Sequence, residues 1–225
     1  RCSHVTGVQT CALPIFRTWI QLLFTLATNS YISGYQNGTI YKGNAKRFCL
    51  PGLNCYSCPG AIASCPIGAL QSAVGTDFGK IPLYISGFFL FFGALTGRFI
   101  CGFLCPFGLV QDLLHKIPFV RKIKTFKGDK ALRIVKFIIL AVFVILLPLF
   151  AASLSGISPP YFCKLICPAG TLEAGLPLAL LNSGIASTLG FLFAWKFTIL
   201  VIALILSVII FRPFCKYICP LGGSH

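Results

Sequence analysis

Acidic residues are nearly missing from this chain. Four Asp and Glu stand against nineteen Lys and Arg in 225 residues, a formal charge of +15. Charge of either sign is scarce at 10% of residues, whereas a soluble domain of this size carries about 25%. Also absent are a glycine-rich phosphate loop, a catalytic-triad pattern and the C-x-x-C-H of haem attachment. These absences argue against nucleotide-driven, triad-based and c-type haem chemistry, and the scarcity of charge excludes an ordinary soluble domain. In a soluble protein the basic excess would point to nucleic acid. Here it lies in loops between apolar runs, so it is read as membrane topology and attraction to anionic lipid, with no nucleic-acid partner expected.

What the chain does have is apolar surface and sulfur. It is 56% hydrophobic with twelve Cys, and its mean hydropathy is +0.88. Apolar runs cover Phe16–Ile32, Pro82–Ile100, Ile134–Leu154 and Phe191–Phe211, against a need of about 20 residues per span. The first is short and partly polar. Thr171–Gly190 is apolar but broken by Gly175, Pro177, Asn182 and Gly184, and reads as a re-entrant or interfacial segment. After Pro106, Leu109, Val110, Leu113, Leu114 and Ile117 recur at helical spacing, with Gln111, Asp112, His115 and Lys116 opposite. The expected fold is an all-α integral membrane protein: about four transmembrane helices, cysteine-rich loops and one amphipathic interfacial helix with its polar face, His115 included, in water.

Seven Lys or Arg between Lys116 and Arg133 predict a cytoplasmic loop. Alternating the spans from there puts both ends of the chain inside, with Cys101, Cys105, Cys215 and Cys219. The Cys49–Cys65 loop, Cys163 and Cys167 then fall outside. The two groups would be separated by a hydrocarbon core about 30 Å thick.

Arg1–Ile15 (RCSHVTGVQTCALPI) resembles the conceptual translation of a common short-read sequencing adapter. It is set aside from fold reasoning with Cys2 and Cys11, leaving residues 16–225 as a single transmembrane domain.

The ten remaining cysteines fall in motifs. C-x3-C-P occurs three times: CGFLCP from Cys101, CKLICP from Cys163 and CKYICP from Cys215, each continuing x-G. A fourth stretch carries Cys49, Cys55, Cys58 and Cys65 as C-x5-C-x2-C-x6-C. C-x3-C-P closes the cluster-binding run of bacterial ferredoxins. The proline ends local helix, and the glycine permits a tight turn with free N–H groups near sulfur. Structural zinc, disulfides among the outer thiols and inert buried cysteine compete with this reading. The expected assignment is one cluster, of the [4Fe-4S] type, on Cys101, Cys105, Cys215 and Cys219. A second would take four of Cys49, Cys55, Cys58, Cys65, Cys163 and Cys167, the sequence not selecting which. Glu173 and Lys196 stand in or near apolar runs, where charge is costly and often functional, although Lys196 can equally snorkel.

The phrases GRFICGFLCPFG, RPFCKYICPLG and FCLPGLNCYSCPGAIASCPIGALQ resemble the membrane-bound 4Fe-4S-binding, polyferredoxin-like proteins related to NapH and NosR. The likeness runs from Phe16 to Cys219. It implies a multi-pass protein of a bacterial cytoplasmic membrane that passes electrons from a ferredoxin-like cytoplasmic donor to an outer, often flavin-bearing acceptor. It acts as a component of an oxidoreductase system rather than a stand-alone enzyme. The resemblance also implies a following ferredoxin-like segment that this sequence does not contain. A transmembrane thiol–disulfide relay and a soft-metal transporter are the rival readings.

Overall fold

A computed structural model of the chain describes residues 13–50, 52–76, 83–95, 102–117, 128–156, 158–182, 184 and 190–221. Among these, regular structure is helical, with one isolated parallel bridge between Cys49 and Ser64. Residues 1–12, Cys101 and most of the basic loop (118–127) lie outside the described residues. Leu13–Ile15 open the first helix, α1 (Leu13–Thr28).

Among the described residues, two helices are long and apolar enough to cross a membrane: Ala131–Leu154, of 24 residues, and Phe191–Ile209, of 19. The first belongs to a longer rod in which α-helix Asp129–Ile139 passes through a π-helical stretch, Leu140–Leu146, into Leu147–Ser155. The other two expected spans are represented by α1, with 16 residues, and by Leu83–Leu95, with 13. Residues 96–100 of the latter run lie outside the described set.

The cysteine phrases turn back into the bundle. The short helix Tyr161–Leu165 packs against Leu140–Leu146, halfway along the long rod, and also against Phe191–Ile209. Helix Pro66–Thr76 packs on the same rod. As a result Cys65, Cys105, Cys167 and Cys219 share one apolar core with Leu53, Phe107, Phe162, Leu200 and Phe214. Sulfur from both expected groups is thus gathered in the protein interior.

The helix Pro106–His115 is turned the other way from the expectation. Gln111 and Asp112 are buried, whereas Leu113 is 62% exposed. The reason is pairing. Asp112 accepts from Arg17 at 2.7 Å and from the Arg212 Nε at 2.6 Å. It thereby ties α1 and the Pro213–Tyr217 turn to this helix. His115 is not simply solvated: its Nδ1 lies 3.2 Å from the Ser207 carbonyl and its ring meets Phe211 edge-on. A second carboxylate, Asp129, joins Arg133, Lys216 and Tyr217. Its hydrogen bonds from Lys216 and then Tyr217 hold it well below the usual carboxylate range.

Candidate metal centre

The C-P-x-G phrase is a helix start built around sulfur. Cys105 is the N-cap of the Pro106–His115 helix with extended backbone, Pro106 follows at the first helical position, and the Gly108 N–H donates to the Cys105 sulfur at 3.4 Å. Cys65 receives N–H groups from Gly68 and Ile67 in the same way, and Cys167 from Ala169. The preceding half repeats too. In FCKLICP the Phe162 carbonyl accepts from both Ile166 and Cys167, and in FCKYICP the Phe214 carbonyl accepts from both Ile218 and Cys219. One sequence phrase therefore builds one turn, with its two thiols at the ends.

Four thiols line a common cavity: Cys55, Cys65, Cys163 and Cys167, with Asn54, Gly68 and Gly170 beside them. Gly170 is there for room: a side chain on it would begin 3.0 Å from the Cys55 sulfur. One on Gly68 would begin 3.3 Å from the Tyr56 ring and in ordinary contact, 3.7 Å, with the Cys163 sulfur. The Lys196 ammonium reaches the same turn, 3.6 Å from that Gly170 position, so it faces the thiols instead of snorkelling away. Cys49 and Cys58 do not line this space. Cys58 lies 3.0 Å from the Tyr35 hydroxyl and 3.4 Å from the Glu173 carbonyl oxygen, and Cys49 sits in the bridge to Ser64.

The second group holds Cys105, Cys215 and Cys219, all buried; Cys101 lies outside the described residues. The Cys105 and Cys215 side chains hydrogen-bond to each other, and the N–H of Leu53 also reaches the Cys105 sulfur. Gln111 Nε2 donates to the Cys215 sulfur at 3.3 Å.

Three polar residues that sequence reasoning missed, or singled out for another reason, share one place in the phrase. In CPIGALQ, CPFGLVQ and CPAGTLE the seventh position is Gln71, Gln111 and Glu173. Gln71 Nε2 lies 3.5 Å from the Cys163 sulfur while its Oε1 accepts from the Phe162 N–H at 2.8 Å. Glu173 Oε2 accepts from the Cys55 N–H at 2.8 Å. The signal was present as an extended repeat, C-P-x-G-x-x-Q/E, which two turns of helix carry back toward sulfur.

The thiols differ electrostatically. Burial pushes Cys55 up to about 12 and Cys163 up to about 11. Cys105 is instead pulled down by its hydrogen bond with Cys215, against burial, with help from the Leu53 and Gly108 N–H groups and Arg212. Burial also lifts Glu173 to about 8. The thiols that burial raises, Cys55, Cys65, Cys163 and Cys167, are stable as thiolates only with positive charge among them. A metal group supplies that charge, since coordinated thiols are deprotonated outright. Among the described residues, no three Cys, His, Asp or Glu are arranged to hold a single ion. Tetrahedral zinc needs all its ligands within about 2.3 Å of one centre, whereas a cubane spreads its thiolates over separate irons. Four sulfurs around a shared space, with glycine next to them and amide donors behind, suit the cubane.

A family described as a 4Fe-4S binding domain matches residues 78–126, 140–176 and 191–225, more than half of the chain and every C-x3-C-P phrase. The chain belongs to this 4Fe-4S binding family. It is an iron–sulfur protein. The Regulatory protein NosR of Pseudomonas aeruginosa is 30% identical over 132 residues, and that of Stutzerimonas stutzeri is likewise 30% identical over 132 residues. Each alignment covers 58% of this chain and only 16% of the relative, so the chain spans about a sixth of their length. No solved structure matches significantly. The 4Fe-4S family segments leave out residues 1–77, so Cys55 and Cys65 come from outside them while Cys163 and Cys167 come from within.

Proposed function

We propose that this protein is an electron carrier of a bacterial cytoplasmic membrane, with four spans and two [4Fe-4S] sites. Cys101, Cys105, Cys215 and Cys219 hold one; Cys55, Cys65, Cys163 and Cys167 hold the other. Each bound cluster supplies one-electron redox chemistry. The residues of the chain do the rest. Gly170 makes room, Gln71 and Gln111 donate to ligand sulfurs, Lys196 and Arg212 set positive charge beside them, and the apolar core excludes water. The observation that carries the reading is the junction of the sites. The Leu53 N–H faces Cys105, Cys55 lines the other cavity, and two residues of chain span at most about 7 Å. Sites joined this closely would need no single electron hop across the full width of a hydrocarbon core, about 30 Å. A cytoplasmic ferredoxin-like donor and a flavin-bearing acceptor beyond the outer face are the partners this reading takes from the family resemblance, with anionic lipid around the basic loop.

The test is anaerobic purification of the full chain in detergent, with iron and acid-labile sulfide assayed. The expected product is brown, with about eight irons and eight sulfides per chain, four for each cubane. A colourless, iron-free product with Cys105 and Cys215 joined by a disulfide would favour the thiol relay instead.

A further inference from the structure

Asn54 is buried, 3% exposed, on the strap between the two thiol groups. Leu53 before it faces Cys105, Cys55 after it is a member of the four-thiol cavity, and Asn54 itself lines that cavity. Both polar atoms of its side chain, Nδ2 and Oδ1, are buried without a hydrogen-bond partner among the described residues. Leaving a buried amide unpaired costs about 1–3 kcal/mol, so such a group in a native core calls for an explanation. A leucine of similar size would fill the same apolar space at no such cost. By contrast, the amides of Gln71 and Gln111 already point their nitrogens at the sulfurs of Cys163 and Cys215.

We infer that Asn54 is a positioning residue whose Nδ2–H donates to a sulfur of the cluster held by Cys55, Cys65, Cys163 and Cys167, and raises that site's reduction potential. This rests on the proposed iron–sulfur function. Reduction adds one electron, and so one negative charge, to the site. A donor aimed at sulfur stabilises the more negative state more than the less negative one. The amide has two N–H donors, so it can serve the sulfur without losing its place on the strap. Because Asn54 is sequence-adjacent to Cys55, its backbone is fixed by the ligand itself.

The experiment is a redox titration of the anaerobically purified full chain, followed by electron paramagnetic resonance, with iron and sulfide assayed in parallel. Wild type is compared with Asn54→Leu and Asn54→Asp. Leucine removes the donor; aspartate keeps the shape and, titrated at a pH where its carboxyl is ionised, replaces the donor by an acceptor. In both variants iron and sulfide stay at the wild-type level. One reduction step moves to lower potential, by a factor of about ten in the oxidised-to-reduced ratio for leucine, or about 59 mV for one electron. Aspartate moves it further. An unchanged potential in variants that retain their iron overturns the inference, as does loss of four irons in both variants, which would make Asn54 a purely structural residue. If leucine alone loses iron, the aspartate titration decides. A wild-type protein without iron and sulfide would fail the proposed function itself, an outcome distinct from wild-type iron with an unmoved potential.

Discussion

The backbone N–H of Leu53 donates to the sulfur of Cys105. It joins a loop that sequence reasoning put outside the membrane to a thiol it put inside. Two residues on, Cys55 is one of the four thiols of the other group and offers its own N–H to Glu173. Gly52 makes the approach possible: a side chain there would begin 3.2 Å from the Leu104 carbonyl oxygen. With both sites loaded and fully reduced, the unpaired spins should interact across this strap. The expected result is a broadened, split resonance that sharpens to a simple signal in Cys105→Ser. Two independent, unsplit signals in the reduced wild type would contradict the junction.

Substitution of single thiols should sort them into three classes. Cys105→Ser and Cys219→Ser should each lower iron and sulfide by about half, as should Cys65→Ser and Cys167→Ser, because a cubane needs its full set of thiolates. Cys49→Ser and Cys58→Ser, outside the shared cavity, should leave the metal content at the wild-type level. Loss of a cluster in Cys58→Ser would move the second site to the Tyr35 and Glu173 side.

The Asp112–Arg212 pair is almost fully buried, with side-chain exposures of 5% and 9%. Removing one member of a buried pair leaves the other charge uncompensated, at a cost of about 3–5 kcal/mol. Asp112→Ala should therefore lower the thermal midpoint in detergent substantially. Arg17 is 30% exposed, so Arg17→Ala should cost only about 0–1 kcal/mol. Equal effects in the two variants would mean that Arg212 is not the principal partner.

Asp129 should make the protein acid-sensitive. Lys216 and Tyr217 lower its pKa in the folded state, while in the unfolded chain it titrates near about 3.9. A depressed acid stabilises the fold above its unfolded pKa, and loses that stabilisation as pH falls toward the folded one. The stability gap between wild type and Asp129→Asn should be full at pH 6 and shrink steadily below about pH 4. A gap independent of pH from 6 to 3 would show that the ionised carboxylate is not what holds Lys216 and Tyr217.

A reporter fused after Lys124 should read cytoplasm and one fused near Asn44 the outer side, following the seven basic residues of Lys116–Arg133. Both on one face would break the four-span scheme. It would leave the sulfur sites intact, because those depend on packing within the bundle.

The sequence alone determined the chemistry. Repeated C-x3-C-P with a glycine two residues on reads as cluster ligation because proline, glycine and sulfur act locally. The 4Fe-4S family match agrees on the cofactor, and the local turn is seen in the N-capping Cys105, the donating Gly108 and the matching turns at Phe162 and Phe214. It also determined helices over Ala131–Leu154 and Phe191–Ile209, where unbroken apolar runs leave no other economical backbone. Tertiary structure decided which thiols meet. Cys55 and Cys65 join Cys163 and Cys167, about a hundred residues away, and no local rule pairs segments so distant in the chain. It decided as well that Gln111 and Asp112 face inward, since a helix with one polar stripe can bury that stripe when arginines from two other segments, Arg17 and Arg212, are there to meet it. Hydrophobic periodicity marks where a helix has two faces. Only the packed partners decide which face goes in.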